Sequence, residues 1–236
     1  MAELGKGRAG GVADTLGGEI AAEVFRPGDV LLTDQLAERF AVSRTVIREA
    51  IQVLQAKRLL RSSPRIGLTV RPVVEWHLFD PDVIRWRLAG PARTALLDEL
   101  TELRGAVEPA AAAAAARRTD ADSRAALLAE SARMRAAAMT GDHAAFVDSD
   151  VRFHGLLLEM SGNPLFAQLG PVTGELLRGR AALQLLPAVP DPADATRHDA
   201  VAVAVAAGDP EAAEAAMRLV VRESLDDIHR RLDSAR

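Results

Sequence analysis

The chain has 236 residues, of which 49% are hydrophobic and 26% charged, with a net charge of −4 and no cysteine. That length accommodates two domains and the composition is that of a folded globular chain, which excludes disordered and fibrous classes. The missing thiols exclude disulfides and thiolate metal sites, and the sequence offers neither a signal peptide nor an apolar run of membrane-spanning length. A cytoplasmic protein with no membrane partner is therefore expected.

The charge is unevenly placed. Residues 1–74 carry 11 Lys and Arg against 8 Asp and Glu, whereas the rest carries 18 against 25. A basic N-terminal part ahead of an acidic remainder suggests that only the first part meets a polyanion.

In chain order, Leu16, Ile20, Ala21 and Val24 have the spacing of one helical face. Arg26-Pro27-Gly28-Asp29 then reads as a turn. Thr33 is expected to cap a short helix carrying Leu36, Ala37 and Phe40, and Ala41-Val42 makes a tight connection. Ser43 is expected to cap the next helix, which puts Ile47, Ala50, Ile51 and Leu54 on one side. Arg44, Thr45, Arg48, Gln52 and Gln55 fall on the other. The stretch from Arg61 to Val70 reads as two short strands around a turn. Helix, tight turn, helix and basic hairpin is the order of a winged helix-turn-helix.

Residues 75–81 read as a linker, with Trp76 and Phe79 expected to dock it on a neighbouring domain. From Asp82 onward the periodicity is helical throughout. Breaks fall at Gly90-Pro91, Thr119-Asp120, Gly141-Asp142, Gly162-Asn163-Pro164, Pro187 to Pro192 and Gly208-Asp209-Pro210, delimiting about six helices. The fold expectation is mainly α: a winged helix-turn-helix with a small β-hairpin over residues 1–74, the linker, and an all-helical bundle over residues 82–236.

An α-helix fits the major groove of DNA, and the side chains of its first turns reach base edges. Arg44, Thr45 and Arg48 occupy those turns, opposite the apolar stripe. Ser43 opens a helix end whose free N–H groups suit a phosphate. Arg65 at the hairpin tip is positioned for the minor groove or backbone, and Gly67 relieves a turn that a side chain would obstruct. Taken singly these arginines read as a solvated helix face; the ordered assembly makes them a candidate DNA-reading surface.

In the helical part, Asp150 and His154 stand four apart on one helix face, a spacing that suits one divalent cation as well as a plain surface pair. His198 is a third candidate, although spacing alone does not bring it close.

The strings Pro27-Gly28-Asp29, Leu36 to Phe40, Val42-Ser43-Arg44-Thr45-Val46-Ile47-Arg48-Glu49-Ala50 and the Gly67-to-Val70 wing resemble the GntR family of bacterial transcription regulators. The second domain is similar to the FCD domain of the FadR-type branch, so the resemblance spans nearly the whole chain. It implies a homodimer on a palindromic double-stranded DNA operator, acting as a repressor released by a metabolite, and no enzyme. Asp150 to His154 and Ser161-Gly162-Asn163-Pro164 resemble the motif carrying the first two metal ligands, and His198 matches the third. The fourth, a histidine in the family, falls at Val220. The implied cofactor is one divalent metal, zinc first, with manganese and nickel also compatible.

Arg104 matches an arginine that this branch turns toward its pocket, where a guanidinium fork suits an organic-acid effector. Its other reading is a surface salt bridge to Glu108. The effector set is then Arg104, Asp150, His154 and His198. Trp76 to Trp86 further resembles the linker of regulators of galactonate and gluconate use, which implies a sugar acid. The competing class is a metal-dependent enzyme on the two-histidine, one-carboxylate set; a third is an adaptor whose winged helix binds protein.

Overall fold

The computed structural model describes residues 7–63, 67–118, 120–187 and 189–234. The chain divides into two compact units, 1–96 and 97–236.

The first unit opens with α1 (Arg8–Ala21), which buries Leu16 and Ile20. After it comes the turn at Arg26, closed by a hydrogen bond from the Asp29 amide to the Arg26 carbonyl and another from the Arg26 amide to the Asp29 carboxylate. Strand β1 (Val30–Leu31) leads into α2 (Thr33–Phe40), α3 (Arg44–Ala56), β2 (Leu60–Ser63) and β3 (Gly67–Val70). The strands form an antiparallel sheet in the order β1-β3-β2, with Arg61 opposite Thr69 and Val30 also opposite Thr69 on the other edge. The hairpin was legible in the sequence, but β1, only two residues long, was not. Thr33 lies inside α2 rather than capping it: Leu32 holds the cap position and no side chain bonds there. Ala41 adopts the left-handed conformation and makes the tight turn between α2 and α3.

The core of this unit extends past the wing. Trp76 is buried and its indole N–H donates to the Arg71 carbonyl at 2.9 Å. Helix α4 (Pro81–Leu88) adds Val83 and Trp86 to the same core and packs on α1. Trp86 lies so close to Gly17 that a Cβ there would fall 2.5 Å from the indole ring. The division of the chain therefore comes at Leu96, later than the expected start of the helical domain at residue 82. Burying two tryptophans gains more than leaving 75–88 as an exposed connector. Phe79 does not dock as expected; it is 60% exposed.

The second unit is all helical among its described residues. It comprises α5 (Arg93–Arg118, starting just before the boundary), α6 (Ala121–Thr140), α7 (His143–Met160), the single turn α8 (Pro164–Ala167), α9 (Gly170–Ala182), α10 (Pro192–Ala207) and α11 (Pro210–Ser234). The sequence breaks are mostly helix caps: Asp120, Asp142, Asn163 and Asp191 each accept a backbone N–H from the first turn of the following helix. That satisfies donors otherwise orphaned at a helix start, about 1 kcal/mol per cap. Thr119, part of one predicted break, lies outside the described residues. Helix α7 packs against α6 and α9, and α10 against α6 and α11. Its apolar positions Phe153 and Leu157 join Leu127, Met134, Val201 and Met217 in a continuous core. Each such side chain contributes about 1.5–3 kcal/mol of burial, and this packing sets the inward polar residues of α7 and α10 at fixed positions.

Candidate functional site

In the first unit, α3 presents the face that the sequence predicts. Ser43 caps it, its hydroxyl accepting the Val46 N–H at 3.4 Å. Ile47, Ala50, Ile51 and Leu54 are buried, while Ser43, Arg44, Thr45, Arg48 and Gln52 are exposed on the opposite side. The Nε of Arg44 stands 2.9 Å from Asp34 on α2, both side chains more than two-thirds exposed. An ion pair in that much solvent holds Arg44 by at most about 1 kcal/mol, so a phosphate or base displaces it readily. Gln55 instead anchors the wing, its amide donating to the Ser62 hydroxyl at 2.6 Å.

Gly67 has φ +112°, and a Cβ there would meet Val30 at 3.2 Å and the Leu31 carbonyl at 3.4 Å. The sheet thus requires glycine at that position, as the expected relief of an obstructed turn implied. Arg65 lies outside the described residues.

In the second unit, α7 and α10 bring Asp150, His154 and His198 together, all buried. Asp150 Oδ1 is 3.2 Å from His154 Nε2 and 3.3 Å from His198 Nε2, and the two Nε2 atoms are 3.2 Å apart. Three potential ligand atoms therefore form a nearly equilateral triangle. A metal held at about 2.0–2.2 Å by each ligand separates those atoms by about 3.0–3.5 Å, so the triangle has the right size for one ion.

The outer contacts orient the rings. His154 Nδ1 lies 3.0 Å from a Glu108 oxygen, and His198 Nδ1 lies 2.8 Å from the Asp194 backbone carbonyl. An Nδ1–H donating to each of these leaves both Nε2 lone pairs aimed into the triangle. Asp150 Oδ1, buried there, has no hydrogen-bond partner. With both rings in that tautomer three electron-rich atoms face one another, and this donor set fits a cation between them.

The electrostatics agree. Burial works against charge on Asp150, yet contact with His154 and His198 holds its pKa well below the usual carboxylate range. Burial likewise opposes charge on His198, but the Asp194 and Asp150 carboxylates outweigh it and raise its pKa to about 9. The negative field that retains this proton also favours a divalent ion in its place, with release of the proton.

Arg104 is buried at the edge of the triangle, but the fork expected to meet an effector is already engaged. Its Nε and Nη2 donate to the two Glu108 oxygens at 2.8 and 3.1 Å. The pairing with Glu108 at i+4 is thus real but buried rather than on the surface. Burial raises the Glu108 pKa, while Arg104 and His154 pull it down to about 2. Nη2 of Arg104 also lies 3.1 Å from His154 Nε2, so Arg104 and Glu108 together hold the His154 ring.

A small cavity joins Arg104, Asp150, His154 and His198 to Arg180 on α9 and to Val220, Ser224 and Asp227 on α11. It admits the centre of a water-sized sphere over only about 10 Å³, room for one ion or water. Val220 lines it, so the expected position of a fourth ligand faces the site but offers no donor atom. Glu108 and Asp194 support the histidines; the i+4 spacing of Asp194 to His198 was the available signal for the latter. Arg180 left no signal, since nothing in its helix marks it as inward-facing. Asn163 is a helix cap, with its side chain accepting the Leu165 N–H.

Comparison with known proteins agrees with both halves. Residues 8–70 match the model of the bacterial regulatory proteins of the gntR family, and residues 99–223 match the FCD domain. The chain is 36% identical over 165 residues to the galactonate operon transcriptional repressor of Escherichia coli, covering 70% of this chain and 71% of that one. It is 31% identical over 154 residues to the uncharacterised HTH-type transcriptional regulator YieP of the same organism, covering 65% and 67%. Among solved structures, it shares the fold of Lar from Listeria monocytogenes, with a TM-score of 0.63 at 18% identity over 97% of this chain and 99% of that one. McbR/YncC of E. coli has the same fold, with a TM-score of 0.55 at 18% identity over 96% and 99%. A family model that spans more than half the chain, a capped helix with an outward basic face, and a second model over the N-terminal unit lead to one conclusion: the chain is a DNA-binding transcriptional regulator that belongs to the GntR family and carries an FCD domain.

Proposed function

We propose that the protein is a repressor that binds a palindromic operator as a homodimer and is released by a small carboxylate metabolite, with a sugar acid as the first candidate. The observation that carries the reading is the buried triangle of Asp150, His154 and His198 inside a chain whose other unit turns Ser43, Arg44, Thr45 and Arg48 outward. The likeness to a galactonate operon repressor supports a sugar acid over other carboxylates. The DNA-reading set is Ser43, Arg44, Thr45 and Arg48, with Arg65 and Gly67 contributed by the wing.

Asp150 Oδ1, His154 Nε2 and His198 Nε2 would hold one divalent metal, with zinc the first candidate for a site rich in imidazole. Such a metal would supply a Lewis-acidic centre for an oxygen of the effector. Glu108 and the Asp194 carbonyl keep the two imidazoles in the tautomer that faces it. A ligand here controls DNA binding only by favouring one arrangement of the helical domain over another. In a homodimer that arrangement sets the separation of two recognition helices against two half-sites.

The test is a thermal-shift screen of sugar acids and other carboxylates on the full chain, with and without added zinc, followed by fluorescence anisotropy on the operator. A stabilising acid that also releases operator supports the reading. An acid-independent, metal-independent melting temperature across the panel refutes it.

A further inference from the structure

Arg180 is a buried arginine of the cavity that makes no direct ion pair among the described residues. It is 6% exposed, on α9, and lines the same cavity as the triangle. Its Nη1 donates to the neutral Ser224 hydroxyl at 2.6 Å and its Nε is buried without a hydrogen-bond partner, while Asp150, Asp194 and Asp227 act on it through their field. Arg104, the other buried arginine of this cavity, is by contrast locked in a two-pronged pair with Glu108. A buried cation bonded directly only to a hydroxyl is unfavourable, because its desolvation outweighs the pull of those carboxylates.

We propose that Arg180 is the residue that recognises the acid group of the effector, while Arg104 positions His154 and lends at most its remaining Nη1. This deepens the effector reading above and rests on it. Arg104 and Arg180 both line this cavity, and Nη1 of the first and Nε of the second are buried without a hydrogen-bond partner, so each keeps a donor to offer an anion. Asp194 and Asp227, also lining the cavity, offer acceptors for hydroxyl groups. The ligand class is accordingly a hydroxylated carboxylate: its carboxylate on Arg180 and its hydroxyls on the two aspartates. The narrowness of the cavity further requires that α9 or α11 shift to admit it. That places the ligand-driven movement on the helices that carry Arg180 and Ser224.

The experiment titrates the zinc-loaded full chain with D-galactonate, D-gluconate and the neutral polyol galactitol, using wild type, Arg180→Met and Arg180→Lys. Calorimetry reads affinity, and melting curves are taken without ligand. Losing a charge-assisted hydrogen bond weakens the acids by about tenfold or more in Arg180→Met. Arg180→Lys recovers part of that loss, and galactitol binding is the same in all three proteins. Without ligand, Arg180→Met melts no lower than wild type, because a buried charge without a direct ion pair has been replaced by an apolar side chain of similar length. A purely structural arginine would instead lower the melting temperature and leave affinity alone. If wild type binds an acid and Arg180→Met binds it equally well, the assignment to Arg180 is overturned while the effector reading stands. If wild type binds neither acid, the sugar-acid reading falls and this assignment with it.

Discussion

Replacing Arg48 with alanine tests the DNA-reading face where it is least entangled with folding. Arg48 lies on the exposed side of α3, opposite Ile47, Ala50 and Ile51, which are buried. Truncation therefore removes no core contact, and surface changes of this kind stay within about 0.5 kcal/mol of stability. A bidentate contact from Arg48 to guanine is worth about 1–3 kcal/mol, a loss of roughly 5- to 150-fold in operator affinity. Arg44→Ala is expected to lose somewhat less. In the free protein Arg44 gives up its exposed pair with Asp34 in order to bind, and that pair offsets about 0.2–1 kcal/mol.

The assay is fluorescence anisotropy on the operator and on a scrambled duplex across a salt series. A base-reading arginine weakens the operator selectively and leaves the salt slope unchanged. A phosphate-binding arginine weakens both duplexes and flattens the slope by about one counterion. If both alanine variants bind operator like wild type, α3 is not the reading helix and the proposed mode of action is wrong.

Other outcomes follow from the same geometry. His154→Ala removes one of the three converging ligands, so elemental analysis should find the bound metal reduced well below the wild-type content; equal content in the two proteins would remove His154 from the ligand set. Chelation with EDTA should lower the melting temperature of wild type, since a metal at 100 times its dissociation constant stabilises by about 2.7 kcal/mol, and should leave His154→Ala almost unchanged. Glu108→Ala strands the buried Arg104 guanidinium, an uncompensated charge that costs about 3–5 kcal/mol; urea unfolding that shows a loss under 1 kcal/mol would mean that Arg104 finds another partner. Gly17→Ala drives a methyl into the buried Trp86 ring and should destabilise the first unit by about 1–3 kcal/mol, seen as a lower midpoint in tryptophan fluorescence.

Local chemistry is what the sequence by itself determined. The stripe of Ile47, Ala50, Ile51 and Leu54 left Arg44, Thr45 and Arg48 only one side of the helix to occupy, because 3.6 residues per turn sort side chains without help from the rest of the molecule. The breaks at Thr119-Asp120, Gly141-Asp142 and Pro187 to Pro192 marked helix starts for an equally local reason: the first amides of a helix need acceptors within a few residues. Asp150 and His154 shared a face by the same periodicity.

What lay beyond that reach needed the tertiary structure. Trp76 and Trp86 belong with α1 because burying an indole outweighs a linker-like sequence, and no local pattern reveals which surface will cover it. His198 meets Asp150 across 48 positions, Arg104 turns out to be held by Glu108 inside the bundle, and Arg180 is buried with its Nη1 on the Ser224 hydroxyl. Those outcomes depend on how helices pack side by side and on which charges that packing strands away from water, and neither is encoded within a single turn of any of them.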